Sequence, residues 1–181
     1  MAAVDDVDQV IERSPGVNGN TVAEYNAAWR RVHDIFVKQG ATNVRWVWSP
    51  YVSCGNCTGF GKVYPGNGYV DWVALDGYNW GGGSWQSMSL VFATSYDKVT
   101  ALAPTKPFMI SEIASAESGG SKANWITNAF YSTIPKRMPK TKAIVRFDSV
   151  KERDWRINSS DASLAAYKKV AQEASYQGRL P

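Results

Sequence analysis

Apolar residues recur at the spacing of one helix face in the segment NGNTVAEYNAAWRRVHDIFVKQGA, residues 18–41. The apolar stripe consists of Ala28, Val32, Ile35 and Phe36. Asn20 or Thr21 is a suitable N-cap, and Glu24 lies three residues after Thr21, as in a capping box. Gly40 is the expected C-terminal stop. The pattern therefore predicts one long amphipathic helix.

Four shorter apolar segments predict β-strands. They are NVRWVWSP (43–50), YVDWVALDGYNW (69–80), PFMISE (107–112) and TKAIVRFD (141–148). Helical patterns follow the last three at residues 92–103, 121–135 and 159–175, with Ser121, and Ser160 or Asp161, as caps of the second and third. Because short apolar strands that alternate with helices are typical of a parallel sheet, we predict a single α/β domain over residues 1–181, with an irregular segment at 1–17.

The ends of the predicted strands favour a barrel-type architecture. No GxGxxG or GxxxxGK motif follows a strand, so the signatures of a nucleotide-binding doubly wound sheet are absent. In a (β/α) barrel, functional side chains lie at the carboxyl ends of the strands. Those ends carry Trp48, Ser49, Asp76, Tyr78, Asn79, Glu112 and Asp148. We therefore predict a (β/α) barrel-type fold with about four parallel strands and outer helices, half of a TIM barrel.

The chain is rich in tryptophan, with eight in 181 residues. Trp46 and Trp72 fit a role in packing the core. Trp48 and Trp80 lie at strand ends, where a flat aromatic face can stack on the apolar face of a sugar ring. The aromatic side chains therefore indicate carbohydrate as a candidate ligand of the barrel rim.

Charge and hydropathy argue against two other classes of partner. Lys and Arg number 20 against 16 Asp and Glu, and the net charge of +4 is scattered rather than clustered as in nucleic-acid binders. The chain has no apolar run long enough to span a membrane. The first residues, MAAVDDVDQVIERSPG, lack the apolar core of a signal peptide, which leaves a cytoplasmic chain, a removed signal or a piece of a longer protein as alternatives.

The two cysteines, Cys54 and Cys57, form a CxxC motif in the glycine-rich loop between the first two strands. Such a pair is a redox dithiol, half of a zinc site or a disulfide-closed loop. Zinc needs two more ligands, and the single histidine, His33, falls in the helical pattern. The surrounding glycines predict an irregular loop and not the helix that a thioredoxin-like motif opens. We expect a loop staple or free thiols, and neither a metal nor a cofactor.

Four segments in one order resemble glycoside hydrolase family 26. They are NTVAEYNAAWRRVHDIFVKQGATNVRWVWSP, YPGNGYVDWVALDGYNWG, KPFMISEIAS and KAIVRFDSVKERDWRI. The likeness covers residues 18–173, nearly the whole chain. The family contains endo-β-mannanases and some β-glucanases and xylanases, which are retaining glycosidases built on a complete barrel and extracellular in their usual location. The resemblance implies a β-glycan substrate.

The resemblance also implies roles for individual residues. Glu112 corresponds to the nucleophile, and Tyr78 to the tyrosine that hydrogen-bonds it. Trp48 and Trp80 correspond to aromatic side chains of the cleft wall. Asp76 and Asp148 complete the expected substrate-binding set.

The chain departs from the family pattern before residue 18. The family's acid/base glutamate follows a histidine on the fourth strand, and the matching stretch here is DDVDQVIERSPG, in which Glu12 lacks that histidine. The carboxyls near the predicted strand exits are Asp76, Glu117 and Asp148. Retaining hydrolysis needs two carboxyls about 5 to 5.5 Å apart, so the second one is unassigned.

Four parallel strands with an apolar inner face leave two open edges and an uncovered core. We therefore expect a homodimer or larger oligomer that completes the barrel, with a separate chain for the missing half as the alternative. Two functions follow: a hydrolase of mannan or glucan, or a catalytically impaired carbohydrate-binding or scaffold protein. A CxxC redox protein is a third reading of the sequence.

Overall fold

The structure, a computed structural model, describes residues 19–55 and 57–178. The segment 1–17 and Glu12 lie outside the described residues. In chain order the elements are α1 (Val22–Lys38), β1 (Val47–Trp48), α2 (Phe60–Val63), β2 (Trp72–Asn79), α3 (Met88–Leu102), β3 (Phe108–Ser115), α4 (Lys122–Asn128), α5 (Ile134–Arg137), β4 (Thr141–Arg146) and α6 (Asp161–Ala171). A π-helical turn, Ala129–Thr133, joins α4 to α5.

The four strands form one sheet in the order β1-β2-β3-β4, and each neighbouring pair is parallel. The predicted α/β fold of four parallel strands with helices is confirmed. Because strand order follows chain order and every strand runs the same way, all four carboxyl ends meet at one rim. Side chains that follow the strands in sequence are thereby brought to one edge of the sheet.

The bounds of β1 and β3 differ from the predicted ones. β1 is limited to Val47–Trp48, because Pro50 has no amide hydrogen to continue the ladder. β3 extends to Ser115, three residues beyond the predicted end at Glu112. The catalytic candidate therefore lies within a strand and not after it.

One face of the sheet packs against the helices and forms the main core. Its strand residues include Val73, Leu75, Phe108, Ile110 and Ile113, and its helix residues include Phe92, Tyr96, Val99, Trp125 and Ile126. Most are fully buried, and each large apolar side chain of this kind contributes about 1.5 to 3 kcal/mol. The opposite face carries the polar candidates.

The amino-terminal helix α1 begins with the capping box that the sequence predicts. Thr21 Oγ1 accepts a hydrogen bond from the Glu24 amide at 3.2 Å, and the Thr21 amide donates to Glu24 Oε2 at 2.7 Å. The apolar stripe is less buried than its pattern suggests: Val32, Ile35 and Phe36 are 39–45% exposed.

The glycine-rich loop is partly ordered by local structure. It contains α2 and a 3-10 turn, Asn67–Tyr69, and Cys54 and Cys57 form a disulfide with a Cα–Cα distance of 5.1 Å. The CxxC motif is therefore a disulfide that closes the loop, one of the two expected alternatives. Trp46 and Trp72 are only half-buried, and Trp46 packs by its edge against Trp29 and Phe36.

Candidate active site

A direct hydrogen bond joins the two leading candidates at the rim. The Tyr78 hydroxyl, near the end of β2, donates to Glu112 Oε2 on β3. Tyr78 is 8% exposed and Glu112 is half-buried. The pairing is the one that the family resemblance implies. A carboxylate in this position has one oxygen held and the other available.

A bulge in β3 brings this carboxylate to the inner face of the sheet. Leu75 pairs with Ile110, but the next β2 residue, Asp76, pairs with Glu112. Ser111 is therefore an extra residue on β3, and such bulges re-aim side chains next to active sites. As a result the side chains of Ser111 and Glu112 both reach residues of the inner face.

Three aromatic rings pack against the ring of Tyr78. The centroid of its ring lies 5.0 Å from that of Trp155, 5.8 Å from that of Phe147 and 5.9 Å from that of Trp80. Trp155 is 1% exposed and also packs edge-on against Trp80 at 5.1 Å. Trp155 was not among the predicted site residues, because it lies in the irregular segment after β4, where periodicity carries no signal.

Trp80 occupies the rim, as the sequence predicts. Its indole nitrogen donates to the Tyr51 hydroxyl at 3.1 Å, and its side chain remains partly exposed. Tyr51 follows β1, so this contact links the first and second strands of the sheet across the rim. The pair provides a partly polar aromatic surface next to Tyr78, whose ring centroid lies 5.9 Å from that of Trp80.

Trp48, predicted on the cleft wall, is instead a core residue. It is 1% exposed and packs edge-on against Tyr64 and Phe60, with centroids 5.0 and 6.2 Å away. The alternation of side chains along a strand explains the correction. Ser49 faces inward to Asp76, so Trp48 must face outward toward α2.

Asp76 lies on the inner face but is engaged by two serines. Ser49 Oγ donates to Asp76 Oδ1 at 2.9 Å, and Ser111 Oγ donates to the same oxygen. Burial raises the pKa of Asp76 to about 6, and the charge of Glu112 adds to that rise, while the two serine hydrogen bonds oppose it. The carboxyl beneath the rim therefore keeps its proton to a higher pH than an ordinary aspartate does.

Asp148 has a different position from the other candidates. It is exposed, and its Oδ1 accepts a hydrogen bond from the Ile157 amide at 2.6 Å. This contact closes the segment that follows β4. The described geometry thus gives Asp148 a turn-forming contact, and its contact with substrate stays a prediction.

Within residues 19–55 and 57–178, no group of three or more His, Cys, Asp or Glu side chains is arranged to hold a metal ion. In the same part of the chain, no helix has the length and apolar character to cross a bilayer.

Comparison with known proteins gives one consistent family. The family model described as Glycosyl hydrolase family 26 matches residues 13–167. Endoglucanase H of Acetivibrio thermocellus is 48% identical over 159 residues, which is 83% of this chain and 17% of that protein. Mannan endo-1,4-beta-mannosidase A and B of Caldalkalibacillus mannanilyticus is 31% identical over 118 residues, 65% of this chain and 20% of that protein.

A solved structure supports the same fold. The catalytic domain of an endo-beta-1,4-mannanase from Bacillus sp. JAMB-750 superposes with a TM-score of 0.65 at 18% identity, covering 88% of this chain and 46% of that one. The chain therefore spans less than half of the barrel domain that it resembles. It spans a still smaller share of the two relatives matched by sequence.

Proposed function

We propose, from the premise that this chain belongs to glycosyl hydrolase family 26, that it hydrolyses a β-linked polysaccharide of the mannan or glucan type. The reaction retains the anomeric configuration, and Glu112 is the nucleophile. The observation that carries the proposal is the hydrogen bond from Tyr78 to Glu112 at the carboxyl rim of a parallel sheet. The names of the two relatives, an endoglucanase and a mannan endo-1,4-beta-mannosidase, support this substrate class.

The chemistry starts from the position of the Glu112 carboxylate. The Tyr78 hydroxyl donates a hydrogen bond to Oε2 and so orients the nucleophile. The other oxygen attacks the anomeric carbon, and the glycosidic bond breaks as a covalent glycosyl-enzyme forms. A second carboxyl protonates the leaving oxygen and then takes a proton from the water that releases the sugar.

The aromatic side chains at the rim supply binding. Trp80 presents a partly exposed ring next to Tyr78, and Tyr51 holds its indole N–H. A pyranose ring stacks its apolar face on such a surface while its hydroxyls contact polar groups nearby. Asp148, which is exposed on the segment after β4, is the predicted source of one such group.

Carbohydrate binding without turnover is the second candidate function. The carboxyl opposite Glu112 in the strand register is Asp76, and both serine hydrogen bonds fall on its Oδ1. This engagement disfavours Asp76 as the group that protonates the leaving oxygen. The acid would then have to come from a part of the barrel that these four strands do not provide.

Release of reducing sugar from mannan, β-glucan and xylan distinguishes the two functions. We expect release by the unaltered chain and at least a hundredfold loss in Glu112→Ala, since deleting a nucleophile removes the covalent route. Circular dichroism verifies that the variant is folded. Negligible release by both proteins, together with retention on an insoluble polysaccharide, would support the binding function instead.

A further inference from the structure

Three consecutive backbone carbonyls, those of residues 154–156, accept hydrogen bonds from two cationic side chains. Lys122 Nζ donates to the Asp154 carbonyl at 3.2 Å and to the Arg156 carbonyl at 2.7 Å. Between them, Arg146 Nη2 donates to the Trp155 carbonyl at 3.1 Å. We call Lys122 and Arg146 the carbonyl clamp. The clamp holds the backbone at Trp155, and the ring of Trp155 packs on Tyr78.

The segment that the clamp holds has little regular structure of its own. Between β4 and α6, residues 147–160, the structure has no helix or strand and only an isolated bridge between Val150 and Asp154. The amide of Trp155 donates to the Ser149 carbonyl at 3.0 Å. The carbonyls of Asp154 and Trp155 therefore depend on partners from α4 and β4, whereas that of Arg156 also accepts a hydrogen bond from the Ser159 amide at 3.3 Å.

Burying these two cations costs free energy, so packing alone does not explain why they are there. Lys122 is fully buried, and Nε and Nη1 of Arg146 are buried with no hydrogen-bond partner. Burial and, after it, the charge of Arg146 lower the pKa of Lys122 to about 8, against the opposing charges of Glu117, Asp154 and Asp148. Because apolar residues fill such sites at lower cost, the two cations are better explained by the carbonyls that they hold.

A second layer of contacts fixes the lysine itself. Lys122 Nζ also donates to Ser159 Oγ at 2.7 Å, and Ser159 Oγ donates to Glu117 Oε1 at 2.7 Å. Ser163 on α6 donates to the same Glu117 oxygen at 2.8 Å. The chain of contacts runs from α6 to the lysine, so the position of the ammonium group is set from two sides.

We propose that Lys122 and Arg146 are positioning residues that fix Trp155 against Tyr78 and thereby hold the Tyr78 hydroxyl on Glu112. Neither cation contacts Glu112; both act through the backbone of residues 154–156. The catalytic consequence of the clamp rests on the proposed function, whereas its effect on the segment does not. The two can therefore be tested apart.

Backbone amide hydrogen exchange tests the clamp without any activity. In Lys122→Met we expect exchange in residues 149–160 to rise on the order of tenfold, because charged hydrogen bonds to two carbonyls are lost. Exchange in β2 and β3 should stay unchanged. Lys168→Met is the matched control, since Lys168 is exposed on α6, and it should leave both regions unchanged.

Arg146→Met keeps the test decisive if Lys122→Met does not fold. This replacement removes two buried nitrogens that lack partners, so the fold should tolerate it. It removes the hydrogen bond from Arg146 to the Trp155 carbonyl, so amide hydrogen exchange in residues 149–160 should again rise. Unchanged exchange in a folded clamp variant would overturn the proposal, and so would a uniform rise across the whole sheet.

The activity arm compares the same variants on polysaccharide. Lys122→Met should lower kcat on the order of tenfold with a smaller change in KM, because Glu112 is misaligned while Trp80 keeps its hydrogen bond to Tyr51. Lys122→Arg, which keeps charged donors, should recover part of the loss, and Lys168→Met should behave as the unaltered chain. If the unaltered chain releases no sugar, the proposed function fails, and the exchange data still decide the clamp.

Discussion

Ser111 and Glu112 are consecutive residues of β3, yet both side chains face the inner side of the sheet. Ser111 contacts Asp76, and Glu112 accepts a hydrogen bond from Tyr78. Ile110 and Ile113, on either side of the pair, belong to the core on the opposite face. A regular strand alternates its side chains and cannot do this, so the bulge is what gives the sheet two adjacent polar layers.

The hydrogen bond from Tyr78 to Glu112 predicts the effect of removing the Tyr78 hydroxyl. Tyr78→Phe keeps the ring contacts with Trp155 and Phe147 but removes the donor to Glu112. We expect kcat to fall by ten- to a hundredfold, since a misplaced nucleophile loses about 1.4 to 2.7 kcal/mol of transition-state stabilisation. Initial rates of sugar release measure this.

Tyr64→Phe is the matched control for that variant. Its hydroxyl donates to Asn67 Oδ1 at 2.7 Å in the glycine-rich loop, away from Glu112. It should leave kcat unchanged. Equal rates in Tyr78→Phe and the unaltered chain would show that the hydrogen bond does not serve catalysis.

The buried carboxyl of Asp76 predicts a pH dependence of stability. The pKa of Asp76 rises from 3.8 to about 6 in the folded chain, so between these values the folded state keeps a proton that the unfolded state has lost. The free energy of unfolding should therefore fall as the pH rises from 4 to 6. Asp76→Asn should remove this part of the slope in urea unfolding curves measured across that range.

Asp161→Asn provides the comparison, because Asp161 is exposed at the start of α6. The slope between pH 4 and 6 should persist in that variant. Parallel curves for Asp76→Asn and the unaltered chain would mean that another group holds the proton.

Close packing between β2 and α3 predicts the cost of one methyl group. A Cβ on Gly77 would lie 2.7 Å from Phe92 Cζ and 3.0 Å from Val52 Cγ1. Gly77→Ala should therefore lower the free energy of unfolding by about 1 to 3 kcal/mol, the usual cost of overpacking. Gly83→Ala, six residues later with no atom within 4 Å, should change it far less. Equal denaturation midpoints for the two variants would contradict this account of the glycine.

Strand order and the Tyr78–Glu112 pair could be predicted, whereas the facing of side chains next to bulges and short strands could not. Apolar runs separated by helices predict parallel strands, and the motif resemblance predicts which tyrosine meets which glutamate.

The bulge at Ser111 leaves no mark in an apolar pattern. In NVRWVWSP the apolar residues do not fix which face Trp48 takes; that depends on Ser49 reaching Asp76. Trp155 depends on tertiary contacts from Lys122 and Arg146, which are 33 and 9 positions earlier in the sequence.

The open edges of the sheet and the exposed part of its inner face predict self-association. Among the described residues β1 pairs only with β2 and β4 only with β3, and Val145, on the inner face of β4, is 50% exposed. A second copy that completes the barrel would cover this face and both edges, so light scattering at micromolar concentration should give at least twice the chain mass. Val145→Glu should return the chain toward monomer, because it places a charge inside the closed barrel, whereas Val150→Glu, at a 58% exposed position outside the sheet, should not. A monomeric mass for the unaltered chain would refute closure by a second copy and leave the inner face to a different partner.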